Sequence, residues 1–72
     1  MDVGMQLIFS SVGWDHDDTE TFQQELKMAK MAEDLNFDVI WPAEHHFFDY
    51  SWCPDNMQLL SYLAGATERI DL

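Results

Sequence analysis

Seven side chains able to do chemistry fall between residues 44 and 53: Glu44, His45, His46, Asp49, Tyr50, Trp52 and Cys53. Histidine is the side chain that takes up and releases protons near neutral pH. Two adjacent histidines on extended backbone point in opposite directions. One can therefore address a substrate while the other packs or bonds behind it. Glu44 is suited to orient a histidine or to satisfy a neighbouring loop donor. Phe47, Phe48, Tyr50 and Trp52 would wall a flat, mostly apolar ligand. The same stretch also offers zinc or iron ligands in Glu44, His45, His46, Asp49 and Cys53. Their spacing matches no standard metal motif, and the helix-borne His-Glu-x-x-His pattern is absent. A loop His-His pair is also commonly plain hydrogen-bonded structure. The residue types alone leave proton transfer, metal binding and structure all open.

The elements around this stretch say where it sits. Val3 to Phe9 reads as a strand, with Val3, Met5, Leu7 and Phe9 on one face and Gly4, Gln6 and Ile8 on the other. Ser10 to Asp18 is a loop holding Gly13 and the acidic run Asp15-His16-Asp17-Asp18, with His16 solvated. Acidic residues there favour the positive end of a following helix. Thr19 to Leu35 reads as that helix. Phe22, Leu26, Ala29 and Glu33 recur at helical spacing, and Met28, Met31, Ala32 and Leu35 widen the apolar side, the two methionines as core packing. Asn36 tolerates the left-handed conformation that ends many helices, and Phe37 is placed to fold back on the last turn.

Val39-Ile40-Trp41 reads as a strand buried on both faces, with Pro42 marking its last position or a bulge. Ala43 to Pro54 is a loop long enough to suggest a function, with Cys53 packed beside Pro54. Asp55 begins a second helix reaching Thr67, with Gln58 at capping-box spacing and Leu59, Leu60, Leu63, Ala64 and Ala66 on its apolar side. Arg69 to Leu72 opens a third strand. This β-α-β-α-β order argues for a parallel sheet with right-handed crossovers. Both an open doubly wound sheet and a closed eight-fold barrel begin so. In either, the site lies beyond the C-terminal strand ends, where the Glu44–Cys53 stretch falls.

Composition bounds the rest. The chain has 72 residues, 47% of them hydrophobic and 14% aromatic, which is too apolar for a disordered tail. A domain of this size buries only roughly 60% of its unfolded surface, so it is expected to bury itself against something. The net charge of -11, with Lys27, Lys30 and Arg69 the only Lys or Arg residues, argues against nucleic acid and anionic membrane as partners. Cys53 is the lone cysteine, and no apolar run approaches the roughly 18 residues of a membrane span. The start Met1-Asp2-Val3 lacks the basic region of a signal peptide. The expectation is a cytoplasmic, reduced setting.

The run from Ala32 to Phe47, AEDLNFDVIWPAEHHF, resembles the flavin-dependent, bacterial luciferase-like monooxygenases. That family typically shows A-E-x-x-G-F-D-x-x-W-x-x-E-H-H-F. Val3 to Phe9 is similar to its first strand. Cys53-Pro54-Asp55 and the segment from Ala66 to Leu72 are similar to its next helix start and third-strand entry. Asn36 stands where the family usually has Gly and can take the same backbone conformation at modest cost. The resemblance implies a (β/α)8 TIM barrel of about 250 residues, of which residues 1–72 are expected to be the incomplete N-terminal β-α-β-α-β portion. It implies reduced FMN and O2 acting on a small organic substrate, with the deazaflavin F420 as the alternative cofactor of the superfamily. A non-catalytic flavin-binding or interaction protein is the alternative from another class. By motif position His45 is the catalytic acid or base, and Glu44 and His46 are supporting residues. The resemblance also implies a homodimer at full length, with Asp55 to Thr67 near the interface, and a reductase that supplies the flavin. The flavin-phosphate contacts belong to later loops.

Overall fold

The computed structural model describes residues 1–10, 17–47 and 50–72. Gly13, Asp15, His16, Phe48 and Asp49 lie outside them. The elements run β1 (Gly4–Leu7), α1 (Asp18–Asp34), β2 (Val39–Pro42) and α2 (Asn56–Ala66). The strands pair in parallel, Gly4 opposite Val39 and Leu7 opposite Pro42. The segment expected as a third strand adds one parallel bridge, Asp71 to Val39. The Ile40 amide donates to the Asp71 carbonyl at 2.8 Å and the Asp71 amide to the Asp38 carbonyl at 3.0 Å. The arrangement is α/β, with β2 between β1 and the Asp71 segment.

β1 is shorter than the alternation predicts. Phe9 has a φ of 53°, which takes the chain out of the extended region two residues after Leu7. Leu7 and Phe9 are nonetheless both fully buried. The Phe9 amide is satisfied by Glu25 of α1, which accepts it on Oε1 at 3.1 Å. Gly4 is required by close approach: a Cβ there would lie 2.9 Å from Val39 Cγ1 and 3.0 Å from Trp41 Cζ3.

Asp17 caps α1, its carboxylate accepting the Glu20 amide at 2.8 Å, and Asp18 and Glu20 follow in the first turn. All three place negative charge at the positive end of the helix. At the other end Asn36 adopts φ 65°. The Asn36 amide donates to the Glu33 carbonyl and the Phe37 amide to the Ala32 carbonyl. This is the Schellman pairing, which satisfies carbonyls left over at a helix end. Phe37 then packs against the core, as expected.

Three burial expectations are corrected. Met28 and Met31 are 43% and 47% exposed, and Leu35 more so. At about 100° per residue the buried stripe of α1 runs through Leu26, Ala29 and Ala32. Met28 and Leu35 fall beyond its edge and Met31 falls opposite it. β2 is buried on one face, not two. Ile40 is fully buried, while Trp41 is 52% exposed, because no described element covers the side of the sheet that Trp41 shares with Gln6. On α2, Leu59 and Leu63 are buried, while Ala64 and Ala66 face outward. The core joins Leu7, Phe9, Ile40, Cys53, Leu63 and Ile70 with the α1 stripe.

One carboxylate ties the start of the Asp71 segment to the end of α1. Glu33 accepts the backbone amides of Glu68 at 2.9 Å, Arg69 at 2.7 Å and Ile70 at 2.9 Å. The Arg69 guanidinium returns to the carbonyls of Glu33 and Phe37 at 3.0 and 3.1 Å. The Arg69 and Ile70 amides, foremost, hold the Glu33 carboxyl below the usual carboxylate range. A carboxyl with a depressed folded pKa contributes stability above its unfolded pKa and loses it as pH falls through the folded one. Half-buried Glu25 runs the other way. Burial pushes its carboxyl up, so its ionisation weakens the fold as pH rises through that raised value. Comparison with Glu33→Gln isolates the first effect. Wild type is expected to lose stability on acidification below about pH 4.5, near the unfolded value for Glu. The variant is expected to start less stable at pH 7 and to lose less over that interval, as read by urea denaturation across pH.

Candidate active site

The long loop between β2 and α2 is pinned over the C-terminal ends of the parallel strands. The Ala43 amide donates to the Leu7 carbonyl and the Trp52 amide to the Phe9 carbonyl, both at 3.1 Å. The loop also doubles back on itself, with Glu44 bridged to Trp52 and Cys53. Phe47 and Ser51 have φ of 60° and 53°, positions usually reserved for Gly, Asn or Asp. Such backbone costs on the order of 1–3 kcal/mol per residue and persists only where the surroundings dictate it. At Ser51 the surroundings are clear, since the residue is buried.

Within this loop the three motif residues separate by role. Glu44 Oε1 accepts the Asn56 amide at 2.7 Å, so it serves the first turn of α2. Asp55 caps the same turn by accepting the Gln58 amide at 3.1 Å, as the spacing predicts. His46 Nε2 lies 2.9 Å from the Pro54 carbonyl. A ring nitrogen facing a carbonyl oxygen must carry the proton, so Nε2–H is the donor. Glu44 Oε2 stands 3.6 Å from the same nitrogen. His45 is exposed, and no hydrogen bond or ion pair joins it to another described residue. The two histidines thus differ in their contacts: His46 is bonded to the Pro54 carbonyl, and His45 is exposed.

The aromatic wall differs from expectation. Phe47 and Tyr50 are exposed. Trp52 instead belongs to the core, its ring 5.6 Å from that of Phe9 and 6.3 Å from that of Phe22. Cys53 is buried next to Pro54, and burial pushes its thiol up, away from the reactive thiolate. Among the described residues no three His, Cys, Asp or Glu side chains converge as metal ligands would. No helix among them is long and apolar enough to cross a membrane. A cavity of about 400 Å³ opens between α1 and α2, lined by Phe22, Leu26, Cys53, Leu59 and Tyr62 among others, and by none of Glu44, His45 or His46.

Asn56 escaped the sequence reading. Its side-chain Nδ2 donates to the Pro42 carbonyl at 3.1 Å, and its backbone amide is the one Glu44 accepts. The available signal was its place directly after the capping Asp55.

An exposed histidine held at the C-terminal ends of parallel strands is the arrangement of an α/β enzyme site. The comparisons narrow the class: the chain belongs to the luciferase-like monooxygenase family, whose pattern matches residues 1–72. It is 30% identical over 54 residues to the alkanal monooxygenase alpha chain of Photorhabdus luminescens, a match covering 75% of this chain and 15% of that one. It is 36% identical over 63 residues to the N-acetyl-S-alkylcysteine monooxygenase of Bacillus subtilis, covering 88% and 19%. An uncharacterised protein of Sinorhizobium fredii is 26% identical over all 72 residues, 20% of its own length. The chain thus spans a fifth or less of the curated relatives it matches. No solved structure gives a significant match.

The tie between Glu44 and α2 is testable by itself. Glu44→Ala removes a charged acceptor from a helix N-terminus, in a partly exposed setting. It is expected to cost about 1 kcal/mol, measured by urea denaturation at pH 7, with a smaller cost for His46→Ala.

Proposed function

We propose that residues 1–72 form the first strand–helix units of a (β/α)8 barrel that works as a flavin-dependent monooxygenase. In this reading reduced FMN and O2 oxygenate a small organic substrate. The observation that carries it is the division of labour in the loop after β2. Glu44 is committed to the first turn of α2 and His46 to Pro54 just before its cap, and His45 is left exposed in the same loop.

The described residues fit part of a flavin site. Phe47 and Tyr50 of the same loop are exposed and offer flat apolar surface to a ring system. No Lys or Arg for the phosphate lies within residues 43–54: Lys27 and Lys30 are on α1, Lys30 bonded to Tyr62, and Arg69 is engaged with the end of α1. Bound reduced FMN would supply the electrons with which oxygen is activated. His45 would hold or move a proton at its imidazole beside the reacting centre. Glu44 and His46 would keep the loop that carries it in place.

His45→Ala in the full-length enzyme is expected to lower kcat by about a hundredfold, within the range for a general acid or base, while flavin affinity changes little. Oxygen consumption and flavin fluorescence titration read the two quantities, and unchanged turnover would remove His45 from the mechanism. Oxygen uptake with reduced FMN is expected, and hydride transfer to F420 in its place would move the chain to the other cofactor. The 72-residue chain given FMN is expected to show no turnover, since the remaining barrel walls and the phosphate site are not in it.

A further inference from the structure

The contacts around α2 have a regular spacing. Pro42, Glu44 and His46 each bond to the start of that helix: Pro42 to the Asn56 side chain, Glu44 to the Asn56 amide and His46 to the Pro54 carbonyl. Pro42 takes part through its main-chain carbonyl, Glu44 and His46 through their side chains. His45 is therefore held between two fastened neighbours, Glu44 on the first turn of α2 and His46 on the Pro54 carbonyl just before its cap.

Asn56 provides two of those three fastenings. Its amide plane can sit only one way. With Nδ2 toward Pro42 the contact is a hydrogen bond of 3.1 Å, whereas the flipped amide would set two oxygens against each other. The retained orientation leaves Oδ1 buried with no partner among the described residues. A buried oxygen without a hydrogen-bond partner is destabilising, because its desolvation is not compensated. That cost is tolerated here for a link between the last residue of β2 and the first turn of α2.

We propose that Asn56 is a positioning residue for His45, acting by clamping Pro42 and Glu44 to the first turn of α2 without touching substrate or cofactor. The inference rests on the reading of His45 as the proton-transfer group. Asn56→Ala keeps the backbone donor to Glu44 and deletes the clamp on Pro42. Asn56→Asp keeps the volume and replaces the donor by an ionised oxygen facing the Pro42 carbonyl.

The test compares both variants with wild type and His45→Ala in the full-length enzyme, using oxygen consumption with reduced FMN as a function of pH. For both variants kcat is expected to fall ten- to a hundredfold, the scale on which small misplacement of a catalytic group acts. KM for the organic substrate is expected to stay within about threefold, as when an interaction used only in the transition state is lost. The limb of the pH–rate profile that His45→Ala abolishes is expected to shift. A purely structural role would lower the melting temperature and leave kcat per folded molecule and the pH profile as in wild type, which overturns the proposal. Where Asn56→Ala does not fold, the isosteric Asn56→Asp carries the same comparison. Wild-type turnover that His45→Ala leaves unchanged sinks the reading of His45. A His45-dependent wild type whose Asn56 variants match it sinks the clamp alone.

Discussion

Parallel pairing of β1 with β2 is the constraint on which the rest depends. Two strands that run the same way cannot be joined by a tight turn, so the chain must cross over the sheet, and α1 is that crossover. The pairing brings the C-terminal ends of both strands to one side, at Leu7 and Pro42. The segment after β2 must begin there, and its first amide is taken by the Leu7 carbonyl. The position of the histidine pair follows from strand direction before any property of histidine is considered.

Helix ends rather than helix bodies carry most of the specific joints. The Schellman close at Asn36 turns the chain from α1 into β2. Glu33, one turn earlier, reaches across to the amides that lead into the Asp71 segment. At the other side of the sheet Glu44 and Asp55 together satisfy the opening turn of α2. In each case a carboxylate or carbonyl meets backbone N–H groups that would otherwise go without a partner. A chain with 14 acidic residues and 3 basic ones has few ion pairs to use, and it directs carboxylates at its own backbone.

Local signals were legible in the sequence and lateral ones were not. The limits of α1, the left-handed Asn36, the Asp55 cap and the end of β2 at Pro42 all follow from residues within a few positions of the feature. Glu33 sat on the buried side of a helical pattern, and nothing local marks it as the acceptor of amides more than thirty residues on. Trp41 and the two methionines read as core because hydrophobicity reports a tendency to be covered, whereas covering depends on which elements are present. Trp52 reads as a cofactor wall until the turn at Phe9 brings their rings together. The same limit applies to the site: residue types located the Glu44–His46 group, the family resemblance singled out His45, and distances show how His46 is anchored.

The outer edge of β1 pairs with no strand among the described residues, and apolar side chains such as Trp41 and Met31 stand open near the sheet and helix surfaces. Such an edge is a template onto which another chain can add. A net charge of -11 on 72 residues opposes that addition, because like-charged copies repel before their edges can meet. The acidity that looked like a statement about partners therefore has a colloidal meaning. It opposes edge-to-edge addition of further copies, and the opposition weakens when salt screens the charge.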